Sequence, residues 1–506
     1  MTDTQQQTID WLCAPANHGG ETVTHVQTHG AHVFLSGDEA WKIKRAVTYD
    51  YMDFSTLPRR RAMLERELSL NAGAAPGIYR DVVALSRAAG GGLELDGPGP
   101  AVEWVLRMKR FPQEDELSEI ADRGALDDHL SIALGESVRA YHEAAPQRAA
   151  DGTKLICDII DELTAAFAGM TEELGADRVR SFDIRARAAL AAVAPLLTQR
   201  AQAGAVRRCH GDLHLRNLVL LDGRPVPFDA LEFDEVLGTC DVLYDLAFLV
   251  MDLRHRGLTR AACMTLDAWL FAAKGREDAG SAALPLFLGI RAAIRAMVEI
   301  QTARATHSAS GHIDAARGFL DDALADFTPQ TPMLLAVGGM SGVGKTTLAR
   351  DLATLVGPSP GAVHLRSDLE RKALAGVQPL DHLPDDAYGA AVTTAVYDQL
   401  MRRAQTLLAA NRSVLLDATW LAPSERHDVQ TLAQRAGVPF RPLWLEADTA
   451  ILQARVTDRR ADASDATAEV VQRQALQAQL PGHWLRIDAS GTPEQTLLQA
   501  RAALRP

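Results

Sequence analysis

Met333-Leu-Leu-Ala-Val337-Gly-Gly339-Met-Ser341-Gly342-Val343-Gly344-Lys345-Thr346-Thr347-Leu-Ala-Arg-Asp-Leu-Ala353 sets an apolar run, a glycine-rich turn and a helical pattern in immediate succession. Residues 339–346 satisfy GxxxxGK[ST] between a buried strand and a helix, the context in which that spacing carries chemistry. Gly339, Gly342 and Gly344 allow consecutive backbone amides, those of Ser341, Val343 and Thr347 among them, to converge on phosphates at a helix N-terminus. Lys345 then neutralises the β and γ oxygens, and the Thr346 hydroxyl is offered to magnesium. ATP and Mg2+ are the cofactors this loop predicts.

Outward toward the C-terminus, short apolar strands (LLAVGG, VHLRSD, SVLLDAT, FRPLWLEA) alternate with helical stretches, the rhythm of a parallel sheet with helices on its faces. The second strand ends at Asp368, with Arg371 beyond it. The third ends at Asp417, where a carboxylate would hold magnesium through water, or would simply cap a strand. Arg455 and Arg459 stand about one helical turn apart ahead of the polar stretch Ser464-Asp465-Ala466. This order of strand, P-loop, SD, DAT and RxxxR resembles the kinase family that includes zeta toxins, chloramphenicol phosphotransferase and polynucleotide-kinase-like domains. The resemblance implies that Asp368 is the base for an acceptor hydroxyl and that Arg455 and Arg459 belong to a lid neutralising transferred charge. A solvated helix face is the competing reading of the arginines.

Outward toward the N-terminus, LADFTPQTPM ends a helical pattern and inserts two prolines, which predicts a linker before residue 333. Upstream, residues from about 113 to 328 are alanine- and leucine-rich and helical, broken around RRCHGDLHLRNLVLLDGRPVPFDALEFDE. Within that break Asp212 and Asn217 lie five positions apart on a loop, and Asp229 follows twelve residues after Asn217. Phosphoryl transfer requires such a set: one carboxylate for the acceptor proton, and an amide oxygen and second carboxylate as hard magnesium ligands. His210-Gly-Asp212, with the later Asp241-Val-Leu-Tyr-Asp245, resembles the aminoglycoside phosphotransferase branch of the protein-kinase superfamily, shared with choline and other small-molecule kinases. The resemblance makes Asp212 the catalytic base and Asn217 and Asp229 the metal ligands, with Asp241 and Asp245 structural at the start of a helix. Glu232, Asp234 and Glu235 either form an acidic groove for a cationic acceptor or are surface.

Residues from about 20 to 112 read as a sheet-rich lobe with one helix, RRRAMLERELSLN. Lys42 and Lys44 follow the hairpin signal Ser36-Gly37-Asp38-Glu39 and alternate onto one face, so either can reach nucleotide phosphates. Lys42 is favoured because it follows an apolar pair, with Glu67 as its ion-pair partner ahead of Glu65. The stretch Glu103–Phe111 falls where a nucleotide hinge, or an ordinary central strand, would lie. No GxGxxG loop precedes the lysines, which separates the chain from protein kinases proper.

The resulting fold class is multidomain, α+β and α/β: a bilobal protein-kinase-like domain over 1–328 and a P-loop sheet with flanking helices over 333–506. The fused arrangement resembles a bacterial family that joins an aminoglycoside phosphotransferase-like domain to an AAA-type ATP-binding kinase. A length of 506 residues and 47% apolar content support several cores, and a net charge of −13 argues against wrapping nucleic acid. Five scattered cysteines, the absence of a basic n-region and the absence of any run of about 18 apolar residues predict a cytoplasmic protein without membrane spans. The expected partner is a small-molecule hydroxyl acceptor, its identity and the oligomeric state left open. Three rivals to two active kinases stand: one catalytic domain beside a nucleotide sensor, a non-enzymatic binding module, and a zeta-like nucleotide-sugar kinase restrained by the N-terminal half.

Overall fold

The computed structural model describes residues 3–49, 52–306, 309–458, 462–477, 479 and 481–504. Two compact units result, one made of residues 1–152 and 200–249, the other of 153–199 and 250–506.

The first unit is built on a six-stranded antiparallel sheet, in the order Thr24–Gln27, Ala31–Ser36, Glu39–Lys44, Ala101–Lys109, Tyr79–Arg87, Leu93–Leu95. Gly37, at φ +50°, turns the hairpin that pairs Ser36 with Glu39 and Val33 with Lys42, as its sequence predicts. One sheet face packs Phe34, Trp41, Ile43, Val83 and Val105 against Ile9 and Leu12 of the N-terminal helix. The other packs Tyr79 and Leu106 against Leu64 of the helix Leu57–Asn71 and against Val219. Val219 belongs to a hairpin, Leu218–Leu221 with Arg224–Pro227, whose turn residues Asp222 and Gly223 both take positive φ. The Glu103–Phe111 stretch is, in structure, mostly the central strand Ala101–Lys109, with Glu103 buried beneath a two-point ion pair from Arg60.

The second unit contains a five-stranded parallel sheet, ordered Val363–Arg366, Val414–Asp417, Leu334–Gly338, Phe440–Glu446, Leu485–Asp488. The strand before the P-loop is buried at all of its positions, as a central parallel strand covered on both faces must be. Leu335, Val337, Leu415, Leu443 and Leu445 form its core with Leu348 and Leu352 of the P-loop helix. The compact units do not divide at the proline linker, because helices from before residue 328 pack in this same unit. Arg403 forms buried ion pairs with Asp278 at 2.8 Å and with Glu370 at 2.6 Å, the Cys263 thiol reaches the Pro360 carbonyl, and Arg260 pairs with Asp351. The segment 279–306 is long and apolar enough by composition to cross a membrane, but 67% of its apolar window is buried inside the protein, and Arg291 and Arg295 interrupt it.

Candidate active sites

In the first unit the loop Cys209–Asn217 is pinned from below. Asp245 accepts the amide of His210 at 3.1 Å and that of Gly211 at 2.9 Å, and His142 lies 3.2 Å from the same carboxylate. Gly211 sits at φ +86° with Leu231 close enough that a Cβ would stand 3.2 Å from its side chain, so the turn favours glycine. The His210 Nε2 donates to the Phe228 carbonyl at 2.8 Å, tying the loop to the segment that carries Asp229, and burial pushes the ring's proton affinity down. Asp241 and Asp245 thus play different structural roles. Asp241 caps Leu243 and takes a two-point bond from Arg200 at 2.7 Å, whereas Asp245 holds the loop itself.

Above this floor the Asp212 side chain is 45% exposed. Asn217 Nδ2 donates to the Asp212 carbonyl at 2.8 Å and to its Oδ2 at 3.1 Å, and His214 lies 3.4 Å from that oxygen. Asp229 is held at φ +59°, a left-handed conformation that non-glycine residues adopt at a cost. Tyr79 supports it by accepting its amide through the phenol oxygen at 3.0 Å, and Asn71 accepts the next amide at 2.8 Å. Neither partner shows a signal in the sequence, since both lie about 150 residues or more away.

Lys42 and Lys44 divide the charges here. Lys42 Nζ bridges Glu67 and Asp229, each at 2.7 Å, while Lys44 bridges Glu67 at 2.6 Å and Glu232. Burial alone would lower the proton affinity of the Lys42 ammonium, but Asp229 and Glu67 raise it well above the ordinary lysine range. Partial burial opposes the charge on Asp229, whose side chain keeps 43% exposure, yet Lys42 holds it below the usual carboxylate range. Glu65 pairs on the surface with Arg61 instead. The acids after the loop form no free acidic groove. Glu232 is bound to Lys44, Asp234 accepts the Val236 and Leu237 amides, and Glu235 is engaged by Arg66, Arg148 and Arg208.

In the second unit Gly339, Gly342 and Gly344 take φ of +136°, +82° and +95°, and a Cβ on Gly339 would stand 2.5 Å from the Leu445 carbonyl. Lys345 Nζ donates to the Met340 carbonyl at 3.1 Å across the loop. The Thr346 hydroxyl donates to Asp417 at 2.6 Å, joining two hard oxygen donors at the strand end, a donor set that fits Mg2+. Burial works against the charge on Asp417, but His364 at 3.4 Å, Arg366 and Lys345 hold it well below the usual carboxylate range. Asp368 lies among the same groups. Burial pushes its proton affinity up against Arg366, with Asp417 adding to the rise.

Arg455 is placed otherwise than expected of a lid. Arg455 donates to the carbonyls of Ala489 at 2.8 Å and Gly491 at 3.0 Å, so it fastens the loop after the last strand; Arg459 lies outside the described residues. Arg366 lies near enough to act on Asp368 and bonds Asp462 at 3.2 Å. Asp465 anchors the polar segment by accepting from Lys372 at 2.6 Å and Tyr388 at 2.7 Å. Gln474 accepts the Ser341 amide at 2.8 Å, and His364, Arg366 and Gln474 are site residues that no motif spacing could single out.

Residues 334–481 match the AAA domain family model. Over 492 residues the chain is 30% identical to uncharacterized protein Mb2027c of Mycobacterium bovis and to uncharacterized protein Rv2004c of Mycobacterium tuberculosis, covering 94% of this chain and 94% of each relative. The chain belongs to their family. Its members align through both halves, P-loop domain and upstream region together. Solved structures similar to parts of the chain include a choline/ethanolamine kinase family protein from Mesorhizobium loti, 16% identical over 64% of this chain and 99% of that one, with a TM-score of 0.37. Amicoumacin kinase hAmiN is 15% identical over 65% and 96%, TM-score 0.40, and a gluconokinase from Sinorhizobium meliloti is 18% identical over 35% and 93%, TM-score 0.26. The match to the AAA domain family model covers the P-loop domain.

Proposed function

We propose that both domains are active ATP-dependent kinases, each transferring the γ-phosphoryl group of ATP to a hydroxyl of a small polar molecule, an amino sugar or related metabolite at the first site. What supports this reading is that each domain holds the side-chain types that phosphoryl transfer needs: a lysine for the phosphates, oxygen-bearing side chains for Mg2+ and a further carboxylate for the acceptor proton. In the first they are Lys42, Asn217 with Asp229, and Asp212; in the second, Lys345, Thr346 with Asp417, and Asp368. When bound, Mg2+ would neutralise charge on the transferred phosphoryl group. The residues around it position the acceptor and take its proton.

The engagement of Glu232, Asp234 and Glu235 by internal partners removes the main support for a strongly cationic first acceptor, so specificity rests on hydrogen bonding at the loop. Five free cysteines support a reducing, cytosolic setting for both reactions.

ATP consumption is measured against sugars, amino sugars and nucleotide sugars with wild type, Asp212→Asn, Lys345→Ala and the double variant. Two independent sites leave each single variant with part of the activity and the double variant with none. A single variant as inactive as the double overturns independence and favours one catalytic domain with a nucleotide-sensing partner.

A further inference from the structure

A helix from before the linker covers the edge of the P-loop sheet. Val363–Arg366 stands first in the sheet order, so among the described residues its strand neighbour is Val414–Asp417 alone and its other side is an edge. The Val363 amide donates inward to the Ser413 carbonyl at 2.9 Å, and the next amide, that of His364, points off the sheet. It meets Asp267 of the helix Thr259–Ala272, both of whose carboxylate oxygens lie 3.3 Å from the His364 nitrogen. Arg260, Cys263 and Asp267 fall on one face of that helix by their spacing, and they bond in turn Asp351 of the P-loop helix, the Pro360 carbonyl and the His364 amide. All of these groups belong to one compact unit.

The strand fastened in this way carries side chains of the P-loop site. Alternation along a strand puts His364 and Arg366 on one face, and both reach Asp417. His364 Nε2 donates to Asp417 Oδ2 at 3.4 Å, Arg366 Nε lies 3.8 Å from the same oxygen, and the Thr346 hydroxyl donates to it at 2.6 Å. Three groups thus hold one oxygen of the carboxylate. Oδ1 has no hydrogen-bond partner among the described residues, which leaves it available to Mg2+. The His364 ring keeps its place only while its backbone is fixed, and at a sheet edge no second strand supplies the outward bond. A metal-binding carboxylate depends on the groups that orient it, and removing one commonly costs about 10- to 100-fold in metal affinity.

We propose that Asp267 is a positioning residue of the P-loop site: by accepting the His364 amide it fixes the strand whose imidazole holds Asp417. This role rests on Thr346 and Asp417 being the magnesium donors of a second kinase site, as proposed above. It makes that site incomplete without a helix that precedes the linker. Asparagine at position 267 keeps an acceptor oxygen for the amide, whereas leucine keeps the shape and loses the acceptor.

The full-length chain is used in an Asp229→Asn background, which removes a metal ligand of the first site, with Lys345→Ala in that background as the blank. Affinity for the non-hydrolysable analogue AMP-PNP is measured by calorimetry with Mg2+ and with EDTA, and the ratio of the two is the metal's contribution. Asp267→Leu should lower that ratio about tenfold or more while the affinity in EDTA stays within about twofold, and Asp267→Asn should keep both. His364→Phe should lower the ratio by a similar factor, and the pair Asp267→Leu with His364→Phe no further than either alone, because the two act along one path. Affinity lost alike with and without metal, an unchanged ratio in Asp267→Leu, an equal loss in Asp267→Asn, additive losses in the pair, or a parent without any metal effect each overturns the proposal. Asp267→Ala replaces the leucine variant if that one does not fold; if neither folds while Asp267→Asn does, Asp267 is structural only and the proposal fails. A parent that consumes no ATP with any acceptor, yet shows the metal effect and its loss in Asp267→Leu, overturns the second kinase reaction and upholds the positioning role.

Discussion

Lys42 and Lys44 share one strand face and one partner, Glu67, yet substitution by methionine should give opposite phenotypes. The Lys44 side chain is 2% exposed and neutralises Glu67 and Glu232, at 0% and 10%. Without it Glu67 retains Lys42, but Glu232 is left a nearly buried carboxylate with no cation. Removing one partner of a buried pair costs about 3–5 kcal/mol. In a unit of about 200 residues, 1 kcal/mol moves Tm by about 2–4 °C, so Lys44→Met should lower the melting temperature of this unit by about 6–20 °C. Lys42 faces Asp229, whose side chain is 43% exposed and can be hydrated when the lysine is lost, and Glu67 keeps Lys44. Its stability loss should stay near that of an exposed pair, at most about 1 kcal/mol. Its catalytic loss should be large, about 10²–10³-fold, because a preorganised cation at the phosphates is removed. Both variants are made in a Lys345→Ala background to silence the other site, then followed by ATP turnover and thermal unfolding. If Lys42→Met melts as early as Lys44→Met, or Lys44→Met loses turnover with its Tm intact, the division of roles between the lysines is wrong.

Burial raises the Asp267 carboxyl to about 8, its bond from the His364 amide notwithstanding, so in the folded state it keeps a proton that the unfolded chain releases near 3.8. Its contribution to stability is full below about pH 4 and is lost as pH rises toward 8; Asp267→Asn should remove up to about 1.4 kcal/mol of that loss per pH unit, and urea midpoints at pH 5 and 8 that change alike in both proteins would contradict it. Gly339→Ala should destabilise the P-loop unit more than Gly344→Ala, since the added Cβ meets the Leu445 carbonyl at 2.5 Å in one and nothing within 4 Å in the other; equal urea midpoints refute this. Arg455→Ala should leave kcat within about threefold and lower Tm by loosening the loop at Ala489–Gly491, so a hundredfold kcat loss at unchanged Tm would return it to the lid.

Where local pattern and chemistry coincide, the chain can be read directly. The P-loop needs glycines at positive φ and a lysine and threonine at a helix start, all within eight residues, so one contiguous string specifies it. The hairpin at Gly37 and the loop from His210 to Asn217 are local in the same sense. Arg455 shows where such reading fails. Its spacing to Arg459 is that of a lid, but the direction of a guanidinium is set by whichever carbonyls fold against it, here those of residues 489–491. The compact units likewise escape the linker, because buried pairs such as Arg403 with Asp278 join residues on either side of it.

The P-loop was determined by sequence alone, because its geometry rests on backbone conformations that only glycine adopts easily and on side chains adjacent along the chain. The same holds for the presence of Asp212, Asn217 and Asp229 in order. Tertiary structure decided what surrounds them: that Asp245 grips the loop from beneath, that Tyr79 and Asn71 hold Asp229 in a left-handed conformation, and that His364 and Arg366 flank Asp417. It also decided that the acids after the loop are already paired. Charges and hydrogen bonds act through space over a few ångströms, and the partners that set them stand tens to hundreds of residues apart along the chain.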